Sequence, residues 1–179
     1  SEYMDVTIWR DGKKYTLHFR HGEVVGGLES APADRKKTGT TIRFHADPEI
    51  FETTVYEYDV LEKRLREQAF LNAGLHITIT DARIGSQDKP EKERFDSMCY
   101  EGGIREFVRW YNRHKTPIHE QVIYMEGSRD TSMAEVAMQY TDSYSELMLS
   151  FANNINTTEG GTHETGFKAA LTRVLNDYG

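Results

Sequence analysis

The sequence predicts an α+β fold built from two successive groups of strands and helices. Short runs of alternating apolar and polar residues are typical of strands, and three longer segments carry apolar residues at helical spacing. The first group is a sheet with one long helix and ends near Cys99. The second has the order helix, three strands, helix, which indicates helices packed on one face of a sheet.

The first elements are a hairpin and a further strand. Two alternating runs between Met4 and Phe19 flank Asp11 and Gly12, a dipeptide that favours the positive φ angles of a two-residue turn. A polar segment at 26–37 leads to a strand at 40–45, whose β-branched residues suit a sheet. We therefore expect three strands here, with an irregular connection between the second and the third.

A long helix and another strand follow. The apolar residues of this helix share one face: Tyr58, Leu61, Leu65 and Ala69. Gly74 is placed to end the helix in a left-handed conformation, and a strand is predicted at 75–80. The charged run 88–96 indicates a solvated loop or an exposed hairpin. Cys99 lies in an apolar context and is expected to be a small buried residue.

The second group opens with a helix that begins at Gly102 and Gly103 and ends near Arg113. Its apolar face contains Ile104, Phe107, Val108 and Tyr111. Strands are predicted at 122–126, 134–141 and 145–152. Asp142 and Ser143 have the composition of a hairpin turn between the last two strands.

The last element is a helix that follows a glycine pair. Gly160 and Gly161 permit a tight turn, and Thr162 is predicted to accept a hydrogen bond from an amide of the first helical turn. The apolar face of this helix contains Phe167, Leu171, Val174 and Tyr178. Lys168 and Arg173 lie outside that face and are free to meet another molecule.

Composition narrows the function classes. The formal charge of −7 argues against a protein whose whole surface binds nucleic acid, so any DNA contact must be local. No apolar run approaches the ~20 residues of a membrane span, and no signal peptide is recognised, so we expect no membrane partner and a cytoplasmic location. One cysteine excludes an intramolecular disulfide, and the scattered histidines do not predict a metal site.

Five segments resemble, in order, motifs of the B-subunit family of bacterial DNA gyrase. They are KTGTTIRF at 37–44, YDVLEKRLREQAFLNAG at 58–74, YEGGI at 100–104, KTPIH at 115–119 and EGGTHETGFKAALTRVLNDY at 159–178. The resemblance extends over essentially all 179 residues. The paralogous B subunit of topoisomerase IV shares most of these motifs.

The resemblance implies a fold and a domain boundary. Residues 1–101 would form the C-terminal half of an ATPase domain of the kind shared with the Hsp90 chaperone, histidine kinases and MutL. Residues 102–179 would form the first part of the transducer domain, whose α/β fold resembles a domain of a small-subunit ribosomal protein.

The resemblance also implies a function, which is to couple ATP binding and hydrolysis to DNA strand passage and negative supercoiling. The full-length protein would use ATP and Mg²⁺, and its partners would be the gyrase A subunit, a second gyrase B protomer and double-stranded DNA. Two alternatives stay open. One is the corresponding protein of topoisomerase IV, which decatenates DNA, and the other is a stand-alone DNA-clamp module without ATPase chemistry.

Candidate site residues come from matching the motifs position by position. Gly39 and Thr40 resemble the glycine and threonine on the wall of the ATP pocket, and Arg10 resembles the arginine at its mouth, near which aminocoumarin inhibitors bind. Lys168 matches a basic residue that the family directs toward DNA, and Arg173 is a second, weaker candidate. Composition alone favours a plain strand residue for Thr40, an exposed hairpin residue for Arg10 and a solubilising lysine for Lys168. The resemblance implies no catalytic and no metal-binding residue in the chain.

We expect the chain alone neither to bind ATP measurably nor to hydrolyse it. In the family the acidic general base, the magnesium-binding asparagine and the glycine-rich lid motifs precede the position of Ser1, and the phosphate-sensing lysine follows that of Gly179. Ser1 is also an unusual first residue, so we expect the complete protein to be longer. Calorimetric titration with ATP and Mg²⁺ should give no saturable heat, and a saturable isotherm would contradict this expectation.

Overall fold

The computed structural model describes residues 1–83 and 93–179 and divides into two compact units, Ser1–Glu57 and Tyr58–Gly179. The sequence-based domain boundary after residue 101 stays a prediction. Of the charged run 88–96, residues 88–92 lie outside the described residues, whereas 94–96 belong to a strand.

The first unit is a four-stranded antiparallel sheet. Its strands are β1 (Tyr3–Arg10), β2 (Lys13–Arg20), β3 (Glu23–Pro32) and β4 (Gly39–His45), in the spatial order β3-β2-β1-β4. Asp11 and Gly12 have φ angles of 52° and 74°, which confirms the predicted two-residue hairpin between β1 and β2. The predicted strand at 40–45 is confirmed as β4.

Strand β3 corrects the prediction of an irregular connection. His21 and Gly22 also have positive φ angles and make a second hairpin turn, from which β3 runs back along β2. Glycines and a proline made this segment resemble a loop, but β3 lies at the edge of the sheet, where both residue types are tolerated. A register shift between Thr16 and His18 absorbs the extra residues around Gly26.

The second unit contains three helices and three two-stranded antiparallel sheets within the described residues. Its elements are α1 (Tyr58–Leu71), β5 (Ile77–Asp81), β6 (Arg94–Met98), α2 (Gly103–Asn112), β7 (Ile123–Arg129), β8 (Ser132–Met138), β9 (Phe151–Ala152), β10 (Ile155–Asn156) and α3 (Thr162–Tyr178). None of the helices in the described part of the chain is long and apolar enough to cross a membrane.

The predicted helices and the strand at 75–80 are confirmed within a few residues. Helix α1 ends at Leu71 rather than at Gly74, although Gly74 does take a left-handed φ of 78°. Strand β6 was not predicted. It pairs antiparallel with β5, with Met98 opposite Ile77 and Arg94 opposite Asp81. Cys99 is exposed, contrary to expectation, because Met98 beside it takes the buried position at 1% exposure.

The predicted strand at 145–152 is wrong for most of its length. Only Phe151–Ala152 form a strand, which pairs with β10 across Asn153 and Asn154 at positive φ. The hairpin predicted at Asp142 and Ser143 does not form either. Strand β8 instead pairs with β7 across a turn at Asp130, and Thr141 makes an isolated bridge with Pro117. Residues 145–150 alternate correctly, but they form no strand in the part of the chain that the structure describes, and only Ser150 extends the β9–β10 pairing, by accepting a hydrogen bond from the Thr157 amide at 2.9 Å.

An aromatic cluster forms the centre of the second unit. Phe70 of α1 is fully buried, and its ring stacks on Tyr100 at 3.6 Å and on Phe107 of α2 at 4.6 Å between centroids. Trp110 and Phe151 extend the cluster, at 6.0 Å from Phe70 and 6.4 Å from Phe107 respectively. The cluster therefore joins two helices, the segment before α2 and strand β9.

A buried carboxylate lies at the end of β5. Asp81 is 7% exposed and accepts hydrogen bonds from the backbone amide of Arg83 at 3.0 Å and from its guanidinium at 2.7 and 2.5 Å. These hydrogen bonds lower the pKa of Asp81 to about 2.

Replacing Phe70 with alanine should lower the free energy of unfolding of the second unit by about 3–5 kcal/mol, because it removes the ring at the centre of the cluster. Urea denaturation followed by Trp110 fluorescence in a Trp9→Phe background reports this unit alone. Phe95→Ala is the matched control. Since Phe95 is 61% exposed, this substitution should lower the free energy of unfolding by only about 0.5 kcal/mol. Equal losses in the two variants would contradict the central role of Phe70.

The Asp81 carboxylate should make stability depend on pH in the acid range. Since its folded-state pKa lies below the ordinary value of 3.8, ionisation stabilises the fold above about pH 4, and this contribution is lost between about pH 4 and 2. Asp81→Asn should reduce stability at about pH 6 and flatten the pH dependence between about 4 and 2, in the same urea assay. Asp130→Asn, in an exposed turn, should leave the profile unchanged. An unchanged profile in Asp81→Asn would count against the Arg83 interaction.

Candidate functional site

The first unit brings the three predicted nucleotide-site residues to one end of its sheet. Thr40 lies directly opposite Ile8 in the β1–β4 register, and Gly39 lies opposite Trp9. Arg10 is two residues beyond Ile8 on β1, so its side chain is on the same face as Thr40. The Arg10 side chain is 79% exposed and forms an ion pair with Asp11 at 3.4 Å.

The backbone conformation at position 39 favours glycine. Its φ angle is 138°, and a Cβ at this position would have open space around it. Packing therefore does not explain the glycine, whereas a φ that L-residues rarely adopt does. The residue starts β4 and sets the position of the Thr40 hydroxyl.

The face that carries Thr40 is apolar and open. Ile8 is 38% exposed, and Ile42 and Phe44 are more than half exposed. A flat aromatic ring could pack on such a surface while the threonine hydroxyl donates or accepts a hydrogen bond at its edge. The described residues contain no cluster of three histidine, cysteine or acidic side chains that could hold a metal ion. The face thus combines apolar side chains with one hydroxyl that can hydrogen-bond.

Helix α3 carries the predicted DNA-site residues, but it begins differently from the prediction. Gly160 has a φ of 76°, and Gly161, in extended conformation, occupies the N-cap position. Thr162 is the first residue inside the helix, so it does not cap, and no side chain makes a capping hydrogen bond there. The Thr165 hydroxyl donates to the Gly161 carbonyl at 3.2 Å instead.

The predicted apolar face of α3 is covered only in its first half. Phe167 and Leu171 are half-buried, whereas Val174 is 59% exposed and Tyr178 is 93% exposed. Lys168 and Arg173 lie on an exposed surface of the helix with these neighbours: Thr165, Ala169, Thr172, Asn176 and Asp177. The structure therefore places both candidate cations on one accessible helix surface.

Lys168 is not free within this surface. Its ammonium contacts Glu164 Oε1 at 2.9 Å and Glu146 Oε1 at 3.8 Å, and the hydrogen bond to Glu164 raises the pKa of Lys168. Neither Glu164 nor Glu146 was predicted from the sequence as a partner of Lys168. The contact between Glu164 and Lys168 could have been predicted from their spacing of four residues, because this spacing places both side chains on one helix face.

Comparison with known proteins identifies close relatives. Residues 103–179 match the family model described as DNA gyrase B. The chain is 50% identical to the DNA gyrase B protein of Enterococcus faecalis and 49% identical to that of Streptococcus pneumoniae serotype 4, over 99% of its own length in both cases. It covers 27% and 26% of those proteins, so it spans about a quarter of the length of the curated relatives it matches.

Two solved structures share the fold. One is the 43K ATPase domain of Thermus thermophilus gyrase B in complex with an aminocoumarin, with a TM-score of 0.82 and 32% identity over 99% of this chain and 47% of that one. The other is gyrase B from Myxococcus xanthus, with a TM-score of 0.85 and 23% identity over 99% of this chain and 50% of that one. The α+β fold predicted from the sequence is confirmed.

Proposed function

We propose that the chain is a DNA gyrase B family member that acts within the ATP-operated component of a topoisomerase, coupling ATP binding and hydrolysis to DNA strand passage and negative supercoiling. The match along the whole chain carries this proposal. The relatives named above are gyrase proteins, which supports supercoiling over the decatenation of topoisomerase IV. Since the chain spans about a quarter of these relatives, it supplies part of the machinery.

In this proposal Gly39, Thr40 and Arg10 form one wall of the ATP pocket. The exposed apolar face around Ile8 would pack against the adenine, and the Thr40 hydroxyl would hydrogen-bond to its edge. The wall offers a hydroxyl, a guanidinium and aliphatic groups, so the residues that hold Mg²⁺ belong to another part of the site. Arg10 at the exposed end of β1 would contact aminocoumarins, a class found bound to the Thermus thermophilus relative.

Lys168 and Arg173 form the DNA contact in this proposal. Both lie on the exposed surface of α3, where their cationic groups can meet the phosphates of a DNA backbone. Lysine and arginine contacts to phosphates are independent of sequence, which suits a protein that must pass any DNA segment. The expected partners of the complete protein are duplex DNA, the gyrase A subunit and a second gyrase B protomer, in the cytoplasm.

Lys168→Ala should weaken binding of the chain to a short fluorescent DNA duplex by about three- to tenfold at low salt, because one phosphate contact is lost. The slope of log Kd against log salt should fall by about 1 for the same reason. Fluorescence anisotropy at several salt concentrations measures both quantities.

The matched control for this experiment is Lys63→Ala, which removes an exposed lysine from helix α1. It changes the net charge equally, so it should leave the salt slope unchanged if the contact is local. Equal weakening in the two variants would show a general charge effect and would contradict the assignment of Lys168.

A further inference from the structure

The ammonium of Lys168 lies between two carboxylates that differ in how firmly they are held. The contact to Glu164 is 2.9 Å, and the Glu164 side chain is 22% exposed. Glu146 is farther away, at 3.8 Å, and its side chain is 75% exposed. One carboxylate thus holds the lysine closely, and the other adds a looser, solvent-exposed attraction.

Glu164 is itself fixed by a hydrogen-bond network. Its second oxygen, Oε2, accepts a hydrogen bond from the Ser150 hydroxyl at 3.0 Å. The Ser150 hydroxyl lies 2.6 Å from that of Thr157, and the Thr157 backbone amide donates to the Ser150 carbonyl at 2.9 Å. Movement of Glu164 away from this position would break its hydrogen bond with Ser150, so this bond favours a carboxylate beside the Lys168 ammonium.

The charges at this position do not favour an anion. One ammonium between two carboxylates leaves a local excess of negative charge, which repels a phosphate. The pKa of Glu164 is lowered by hydrogen bonds from Lys168 and Ser150, in agreement with an ionised carboxylate in this network. A phosphate that approaches Lys168 must therefore replace contacts that the lysine already makes.

We propose that Glu164 and Glu146 form a carboxylate latch that holds Lys168 and limits its contact with the DNA backbone. This inference rests on the proposed DNA contact of Lys168 and describes how that contact is regulated. In the latched state the ammonium is neutralised within the protein. DNA binding requires the lysine to exchange the carboxylates for a phosphate, so the latch lowers the affinity of α3 for DNA and keeps the contact readily reversible.

The test is anisotropy titration of the full chain with the same labelled duplex at low salt. Glu164→Gln should tighten binding by about two- to fivefold, because the amide keeps the size of the side chain but competes less for the ammonium. Glu146→Gln should give a smaller gain, since its contact is longer and more exposed. In a Lys168→Ala background the Glu164→Gln gain should disappear.

The control for net charge is Glu159→Gln, an exposed residue near the same helix end. Two results would show that the gain comes from the change in net charge, and either would overturn the latch. One is that Glu159→Gln tightens binding as much as Glu164→Gln, and the other is that the gain from Glu164→Gln survives in the Lys168→Ala background.

Two further outcomes separate this inference from the proposed function. If Lys168→Ala weakens binding but Glu164→Gln leaves it unchanged or weaker, Glu164 does not restrain the lysine, and only the latch is overturned. If Lys168→Ala has no effect, the DNA contact itself fails and the latch fails with it. Circular dichroism of each variant checks that the helix content is retained.

Discussion

The burial of Phe70 is the interaction on which the second unit depends. Its ring is stacked between aromatic residues that come from the segment before α2 and from α2 itself, Tyr100 and Phe107. Helix α2 must therefore begin close to α1, and Gly103, with a φ of 57°, makes this start possible. A Cβ at Gly103 would lie 3.6 Å from Ala73, so the backbone conformation, rather than lack of space, favours glycine.

The same cluster determines where the predicted DNA residue lies. Phe151 joins strand β9 to Phe107. The turn after β9 is bound by two hydrogen bonds to α1 and to the residue that follows it, from Gln68 to the Asn154 carbonyl at 2.8 Å and from Asn154 to Asn72 at 3.0 Å. Ser150, just before β9, then holds Glu164 of α3. The position of Lys168 thus follows from the aromatic cluster through a continuous series of packing and hydrogen-bond contacts.

Features that depend on neighbouring residues were predictable from the sequence, and features that depend on distant partners were not. The turn at Asp11 and Gly12 follows from the backbone preferences of two residues, and helix α2 follows from its apolar spacing. The strand predicted at 145–152 failed because alternation supplies a face but no hydrogen-bonding partner. For the candidate site, the resemblance implied a DNA contact for Lys168, which stays a prediction. The contact of Lys168 with Glu146 joins residues far apart in sequence and could be seen only in the fold.

For the proposed DNA contact, a paired lysine suits the passage of DNA better than a free one does. A contact that must release every DNA segment cannot be strong, and weak binding can come either from few cations or from cations that already have partners. Helix α3 has the second arrangement, because Glu164 is held by Ser150 and is in place for Lys168 to return to when a phosphate leaves. The serine–glutamate–lysine series therefore sets a resting state for the cation, and the strength of the DNA contact follows from the competition between carboxylate and phosphate.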